Sequence, residues 1–182
     1  GLAFADPVIS EFMASNTSTL ADDDGAFSDW IEIYNPDAEP LNLSGWYLTD
    51  SAKKKTKWQF PAVSVPARGY LVVFASSKDR RDPSRALHTS FKLSSDSSYL
   101  GLIQPDGATA VSEFAPTYPA QRSDISYGTT QPENGSAPEI GYLRDATPGQ
   151  ANGSALMLLS EVSFSRAAGI FNGTFTLELS GD

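Results

Sequence analysis

An acidic run, Asp22-Asp23-Asp24-Gly25 with Asp29 shortly after it, is the part of the sequence whose residue types best suit chemistry. Calcium prefers oxygen ligands, and a glycine allows a loop to fold back around an ion. The spacing is not the D-x-D-x-D-G of an EF-hand, and adjacent aspartates on an extended chain point in different directions. We therefore expect a solvated acidic loop with no required cofactor. If calcium binds, Asp22, Asp24 and Asp29 are the first ligands to test.

His88 is the single histidine, so a Ser/His/Asp triad would have to be built on it. It stands in LHTSFKL, at the edge of an expected strand, and the sequence has no G-x-S-x-G nucleophile motif. The chain has no cysteine, which excludes disulfides, thiolate nucleophiles and the usual zinc sites. We interpret His88 as structural, and we predict that the chain is not an enzyme and has no catalytic residue.

Acidic side chains could also form the carboxylate pair of a glycoside hydrolase, which requires two acids across a cleft. Glu11, Glu32 and Asp50 are the candidates, and the sequence alone cannot place them across such a cleft. Glu32 shares one face of its strand with Trp30 and Tyr34. We therefore expect Glu32 to be a solvent-facing acid beside packed aromatic rings.

Aromatic residues offer a second kind of site, a surface on which sugars or a protein partner could pack. We assign Trp30, Tyr34 and Trp58 to this binding surface. The alternative is burial, because large rings contribute much of the apolar area of a core. We expect Trp46 in the core and leave Trp58 open, since it follows a lysine-rich loop.

Short segments with the alternation of β-strands position these side chains. In residues 29–35, Ile31 and Ile33 lie on one face and the aromatic residues on the other, which indicates a strand with one buried side. Asn35-Pro36 ends this strand. Further strands are expected at Val8–Met13, Tyr70–Ala75 and residues 58–60, 99–103, 110–114 and 125–128, with a long loop at 14–27 and irregular chain from 115 to 147.

Frequent turn signals and few helix signals favour an all-β sandwich or barrel. The alternation places a set of apolar residues in the core: Ile31, Ile33, Leu43, Trp46, Leu48, Leu71, Val73, Phe91, Leu100 and Leu102.

The overall charge limits the partners. The formal net charge is -9, and a surface of that sign repels phosphate backbones, so we expect no nucleic-acid binding. The one basic cluster, Lys53-Lys54-Lys55 with Lys57, is short and is interpreted as a solvated loop. No apolar run approaches the ~18 residues of a membrane span, so no membrane insertion is expected.

A family resemblance rests on a series of segments: SDWIEIYNP, LNLSGWYLTD, KWQFP, VPARGYLVVFAS, HTSFKLSSDSSYLGLIQPDG and ATPGQAN. In order and spacing they resemble the lamin tail domain as it occurs in secreted bacterial proteins, over residues 8–152. The resemblance implies an immunoglobulin-like β-sandwich, used as an interaction or spacer module. The family has no established catalytic motif, and the resemblance implies an extracellular or cell-surface location in a bacterium.

The segment TPGQANG, residues 147–153, marks a boundary. We predict a sandwich over residues 1–153 and the truncated start of a second small β-domain over 154–182. The stretch VSFSRAAGIFNGTFTLELSGD resembles the β-domain at the C-terminus of chitobiase-like enzymes. Two strands alone are marginal in water and leave open edges, so we expect this tail to pack on the sandwich or to mediate self-association through residues 156–182.

Two functions of different classes remain open from the sequence. The first is a non-catalytic extracellular interaction or spacer module of a larger multidomain bacterial protein, whose partner is a protein or a cell-surface polysaccharide. The second is a calcium-assisted carbohydrate-binding or adhesion module, suggested by the acidic loop and the aromatic residues.

Overall fold

The computed structural model describes residues 6–130, 137–156, 163–164 and 179–180. These residues form fourteen strands and no helix. The strands are β1 (Val8–Met13), β2 (Asp29–Tyr34), β3 (Leu41–Asn42), β4 (Tyr47–Thr49), β5 (Trp58–Gln59), β6 (Ser64–Val65), β7 (Tyr70–Ala75), β8 (Leu87–His88), β9 (Ser98–Ile103), β10 (Ala110–Tyr118), β11 (Tyr127–Thr129), β12 (Ile140–Tyr142), β13 (Ser163–Phe164) and β14 (Leu179–Ser180). In the described part of the chain, no helix is long and apolar enough to cross a membrane.

Two main sheets pack face to face. The six-stranded sheet has the order β12-β11-β1-β2-β7-β8 and the four-stranded sheet the order β10-β9-β4-β5. All pairs in these sheets are antiparallel except β7 with β8. Side chains of both sheets share one core cluster, with Phe12, Ile31 and Ile33 from the first sheet and Leu48 and Leu100 from the second. The predicted all-β sandwich is thus confirmed.

Most of the predicted core residues are buried, but two are not. Leu71 and Trp46 are half-buried and pack against the edge of the core. Trp58 has no exposed surface and occupies the position expected for Trp46. The reason is register: Trp58 lies opposite Leu48 across the β4–β5 pair, and directly opposed residues of an antiparallel pair point to the same face. Trp46 lies in the turn before β4.

A second apolar cluster covers the opposite face of the six-stranded sheet, which we call the outer face. Met13, Trp30 and Phe74 are buried there. Partly buried residues from three loops pack on them: Leu20, Ala86 and Ala146. The long loop 14–27 is therefore a cover for the outer face, and the sheet is buried on both sides.

The strand at one edge of the four-stranded sheet is long and irregular. β10 runs nine residues and carries register shifts between Ala110 and Ser112 and between Phe114 and Tyr118. It contains Pro116, which has no N–H to donate, and Glu113, Ala115 and Thr117 are exposed. The sequence predicted a strand that ended at Phe114, and it did not predict β12, which lies in the segment 115–147 that was expected to be irregular.

The C-terminal segment begins on the sandwich. Leu143 and Ala155 form an isolated antiparallel bridge, and Leu156 N donates to Tyr142 O at 2.6 Å. Further on, β13 pairs antiparallel with β14. The predicted strands of the second β-domain and the surface predicted for self-association lie mostly outside the described residues.

Candidate functional site

The acidic run folds as a compact turn around the side chain of Asp22. Its Oδ1 accepts the N–H groups of Asp24 and Ala26, each at 3.0 Å, and its Oδ2 accepts the Ser28 hydroxyl at 3.0 Å. Gly25 has φ +80, in the left-handed region that favours glycine. The loop is therefore ordered by its own first carboxylate, which the sequence analysis had placed in solvent.

Lys78 binds two carboxylates of this turn at once. Its Nζ lies 2.6 Å from Asp22 Oδ2 and 2.7 Å from Asp24 Oδ2. Burial favours the neutral acid, yet hydrogen bonds from Lys78, the Ala26 amide and Ser28 outweigh it and lower the pKa of Asp22 to about 2. The hydrogen bond from Lys78 also lowers the pKa of Asp24. The ammonium group thus supplies the positive charge that a calcium ion would have supplied.

Two arginines complete the neutralisation of the acidic run. Arg80 pairs with Asp23 and, at 3.2 Å, with Asp24 Oδ1. Arg85 Nη2 lies 3.1 Å from Asp23 Oδ2 and 3.0 Å from Asp24 Oδ1. Because three basic side chains face three aspartates, the cluster has little net charge, although the whole chain is strongly acidic.

His88 is fully buried beside this cluster, and its contacts resemble a catalytic triad. Ser76 Oγ lies 2.7 Å from His88 Nδ1, and Asp23 Oδ1 lies 3.6 Å from Nε2. Arg80 also contacts Nε2, and a guanidinium can only donate, so Nε2 must be the acceptor and Nδ1 must carry the proton. His88 therefore donates to Ser76 and cannot accept its proton, and burial with the charges of Arg80 and Lys78 lowers the pKa of His88.

The metal ligands proposed from the sequence are only partly brought together. Asp22, Asp24 and His88 each offer a ligand atom within 4.8 Å of one another. Asp29 is not in this group: its Oδ1 accepts the Asn16 N–H at 3.3 Å, and burial raises its pKa. A cation at this cluster would have to displace Lys78 from both carboxylates, and the oxygen-rich donor set would suit calcium only after that exchange.

A cleft of about 330 Å³ adjoins the cluster. Its volume lies at the lower end of the range typical of small-molecule pockets, ~300–1,000 Å³. Its lining residues are Ala26, Phe27, Ser28, Asp29, Ala75, Ser76, Lys78 and Lys92. Phe27 is 47% exposed, and Lys92 is exposed and makes no ion pair with a described residue. The cleft therefore presents an apolar ring and an exposed cation to solvent, and the charge of Lys92 also acts on the Asp29 carboxyl group in the same lining.

The aromatic surface proposed from the sequence does not exist as such. Trp30 and Trp58 have no exposed surface. The covering loops bury Trp30, and the β4–β5 pairing turns Trp58 inward, where the Arg81 guanidinium lies 5.8 Å from its ring. Only Tyr34 remains half-buried, with its ring stacked on that of Tyr70 at 4.8 Å.

Two buried glutamates form a polar site, and both were candidates for a carboxylate pair that the sequence could not place together. Glu11 and Glu32 are paired across β1 and β2, and neither has exposed surface. A bulge between Ile9 and Glu11 shifts the β1 register at this point. Glu32 had been expected to face solvent, and it does not, because residues 147–152 cover it. We call these residues the closing segment.

The closing segment binds the two carboxyl groups through its backbone. Thr147 N donates to both oxygens of Glu11 at 3.2 Å, and Gly149 N donates to Glu32 Oε2 at 2.5 Å. Asn152 Nδ2 donates to Ser10 O at 2.8 Å and to Thr129 O at 2.9 Å. The segment is thus fastened to β1, β2 and β11 by buried hydrogen bonds.

The two carboxyl groups also meet side-chain hydroxyls. Ser10 Oγ lies 2.7 Å from Glu32 Oε1, and the Ser126 hydroxyl donates to Glu11 Oε1. Burial, with a smaller contribution from the charge of Glu11, raises the pKa of Glu32 to about 7. Burial also raises the pKa of Glu11, against the hydrogen bonds from Ser126 and Thr147. A signal for this site was present in the sequence, since polar residues interrupt two otherwise apolar strands.

Comparison with protein-family models identifies the family of this chain. The model described as Lamin Tail Domain matches residues 3–117, more than half of the chain. The closing segment lies beyond the matched residues. No curated protein and no solved structure matches the chain. Lamin tail domains are immunoglobulin-like modules, which agrees with the sandwich described above. The chain belongs to the lamin tail domain family.

Proposed function

We propose that this chain is a non-catalytic interaction or spacer module of a larger extracellular bacterial protein. The main support for this proposal is that the side chains best suited to catalysis or metal binding, those of the acidic run and His88, are occupied by contacts with other side chains of the protein. In the described residues, the three aspartates of the acidic run are paired with Lys78, Arg80 and Arg85, and His88 carries its proton on the nitrogen that faces Ser76. Membership of an immunoglobulin-like module family supports the same function.

A screen for hydrolysis tests the non-catalytic part of the proposal. The purified chain is incubated with ester, peptide and glycoside substrates and compared with the His88→Gln variant. We expect no turnover from either protein, because Ser76 has no base to accept its proton. Turnover that His88→Gln abolishes would show that the protein is an enzyme.

We propose that the cleft between Phe27 and Lys92 is where the module contacts its partner. An exposed ring beside the exposed ammonium of Lys92 suits a protein or polysaccharide that carries carboxylates next to apolar surface. Binding of the labelled chain to intact bacterial cells and to isolated acidic surface polysaccharide provides the test. Lys92→Glu should abolish binding, whereas Lys54→Glu, the same charge change in the exposed lysine-rich loop, should not. Equal loss in both variants would mean that overall charge, rather than the cleft, determines binding.

The second candidate function is a calcium-assisted carbohydrate-binding or adhesion module. The close approach of ligand atoms from Asp22, Asp24 and His88 favours it. Calorimetric titration of calcium into the wild-type chain and into Lys78→Met separates the two candidates, because removal of the ammonium frees two carboxylates. Heat from the wild-type chain would favour the second function, and heat from Lys78→Met alone would show that Lys78 has replaced the metal.

We also propose that residues 154–182 begin a second small β-domain of the chitobiase-associated type and contribute to self-association. The β13–β14 pair is consistent with such a start. A longer version of the protein that continues beyond residue 182 should contain an independently folded C-terminal unit, and limited proteolysis should release this unit as a stable fragment. A single protease-resistant body would contradict the boundary.

A further inference from the structure

We propose that Glu11 and Glu32 share one proton at neutral pH and act as a pH-sensitive latch that holds the closing segment on the outer face. The proposal concerns the connection between the sandwich and the residues that follow it, and it does not depend on which partner the module binds. Three features carry it: the pairing of two buried carboxyl groups, the direction of the hydrogen bonds around them, and the place of the closing segment in the chain.

The hydrogen bonds assign the negative charge to Glu11. Its oxygens meet the hydroxyl of Ser126 and the N–H of Thr147, both of which donate. The Thr147 hydroxyl lies 2.9 Å from Asn152 Oδ1 and 3.3 Å from Glu11 Oε2, so its single proton points to the amide. An ionised carboxylate accepts hydrogen bonds only, which is what these contacts require.

The contacts of Glu32 permit it to hold the proton, because the Ser10 hydroxyl that lies against its Oε1 has a second acceptor, the Glu32 backbone carbonyl. Its Oε2 accepts the Gly149 N–H, which leaves Oε1 to carry the proton. Ser10 Oγ, 2.7 Å away, can accept that proton and donate its own to the Glu32 backbone carbonyl at 3.4 Å. Every donor then has an acceptor, and the pair has a single negative charge. This arrangement follows the rule that two adjacent buried carboxyl groups resist a second ionisation.

In the part of the chain that the structure describes, no cation offsets a second negative charge at this site. From β1 the site receives Ser10 and Glu11, and from β7 the apolar Val72, which lies opposite Glu32. Beside β11 stands Ser126, and the closing segment contributes Thr147 and Asn152, which are uncharged. Among the described residues, Glu11 is the one charged group that acts on Glu32. Loss of the shared proton therefore leaves two carboxylates facing each other beneath the segment.

The closing segment lies where the chain leaves the sandwich, so its opening affects the connection to the residues that follow. It immediately precedes residues 153–156, which run to the β12 edge of the same sheet and lead into the rest of the chain. When the segment is closed, its Asn152 side chain holds it against Ser10 and Thr129, and residues 153–156 follow along the sheet. When it opens, residues 147–152 become a flexible loop, and the Leu143–Ala155 bridge and the bond from Leu156 N to Tyr142 O are the described contacts that still hold the chain to the sheet. The latch thus makes the stiffness of this junction depend on pH.

Thermodynamic linkage gives the direction in which pH shifts the opening of the closing segment, and the pH range over which it does so. An opened segment exposes Glu32, whose pKa then returns towards 4.5, whereas in the closed state it is about 7. The closed state therefore holds more protons between these values, and opening becomes more favourable by up to about tenfold per pH unit across this window. Above the closed-state pKa the effect levels off. Acidic conditions keep the latch closed, and neutral to alkaline conditions weaken it.

Amide hydrogen exchange measured by NMR on the full chain tests the proposal. The protection factors of the Thr147 and Gly149 amides should fall about tenfold or more between about pH 5 and about pH 7, after correction for intrinsic exchange. The Gly107 amide, bonded to Gln104 O at 3.0 Å in the turn after β9, serves as the internal reference and should not change. Unchanged protection at Thr147 and Gly149 would overturn the latch.

A matched pair of variants separates the effect of the Glu32 carboxyl group from that of losing one negative charge. Glu32→Gln imitates the protonated state, so its Thr147 and Gly149 protection should be independent of pH. Glu113→Gln makes the same change on β10, where Glu113 accepts the Tyr99 hydroxyl, and should behave as the wild type does. If Glu32→Gln does not fold, carboxyl-carbon NMR titration of wild-type glutamates decides instead. A Glu32 signal with a midpoint close to 7 supports the shared proton, and titration of both glutamates below about pH 5 refutes it.

Discussion

The buried Glu32 should make the stability of the whole domain fall as the pH rises from acidic to neutral. In the folded chain, burial raises the pKa of Glu32 from 4.5 to about 7. The unfolded chain exposes this residue and loses the shift. Between these two values the folded state holds the extra proton, so its stability is greatest below 4.5 and declines until the pH passes the folded pKa.

The size of the expected change in unfolding free energy follows from the difference between the pKa of Glu32 in the folded and the unfolded chain. A difference of about 2.5 pKa units at about 1.4 kcal/mol per unit corresponds to about 3 kcal/mol of unfolding free energy. This is a large part of the ~5–15 kcal/mol that stabilises a typical domain. Glu32→Gln has no carboxyl group to lose a proton at this position. Its unfolding free energy should therefore rise relative to that of the wild type as the pH rises.

Other groups act in neighbouring pH windows and have to be separated from Glu32, among them Glu11 and Asp29, whose pKa values burial also raises. Asp22, whose pKa is lowered to about 2, gives stability that is lost below about pH 4, outside the window of Glu32. His88 acts inside the window with the opposite sign, since its pKa is lowered and the folded state binds its proton less well. The difference between wild type and Glu32→Gln cancels the contributions of the groups that do not act on Glu32, because the two proteins share them.

Urea denaturation followed by tryptophan fluorescence provides the measurement. The difference in unfolding free energy between Glu32→Gln and wild type should grow in favour of the variant by about 2–4 kcal/mol between about pH 4.5 and about pH 7.5. Glu113→Gln controls for loss of one negative charge and should show a flat difference. A flat difference for Glu32→Gln as well would mean that Glu32 is ionised in the folded protein at all these values.

Three further predictions concern other parts of the molecule. Trp58→Ala should lower the unfolding free energy by about 3–5 kcal/mol and Trp46→Ala by less than half of that, measured by urea denaturation, because only Trp58 is fully buried. Lys78→Met should cost about 1–2 kcal/mol, because it leaves the Asp22 carboxylate without its cation, whereas chelator should leave the wild-type melting temperature unchanged. A chain cut after Leu156 should stay folded and monomeric by light scattering, while the full chain shows some self-association.

The sequence predicted the fold well where structure depends on local pattern. Alternation in β2 placed Ile31 and Ile33 in the core, and both are fully buried. The same pattern could not show that Trp30 and Glu32, on the other face, are also buried. The cover of the Trp30 cluster comes from Leu20 in the preceding loop and from distant loops, and the cover of Glu32 comes from the closing segment, more than a hundred residues further on. Alternation within one strand contains no information on what packs above its outer face.

The candidate site was predictable only in part for a similar reason. The aspartates of the acidic run were recognised by type, but their partners Lys78 and Arg80 stand more than fifty residues away. Because ion pairs of this kind depend on how two loops meet, a metal site and a salt-bridge cluster look alike in the sequence. Trp58, left open by the sequence, is fully buried while Trp46 only packs against the core, because the short β4–β5 register, rather than residue type, determines which ring turns inward.

The irregular edge strand β10 has a consequence for chains in which such modules are repeated. A regular edge of this length would offer its unpaired amides to the same edge of a neighbouring copy. Pro116, the two register shifts and the exposed Glu113 interrupt that row of donors and acceptors. Copies joined in series could therefore lie side by side at high local concentration without fusing their sheets. Engineered concatemers should then extend as separate beads, and restoration of a regular β10 should turn the same concatemers into aggregates.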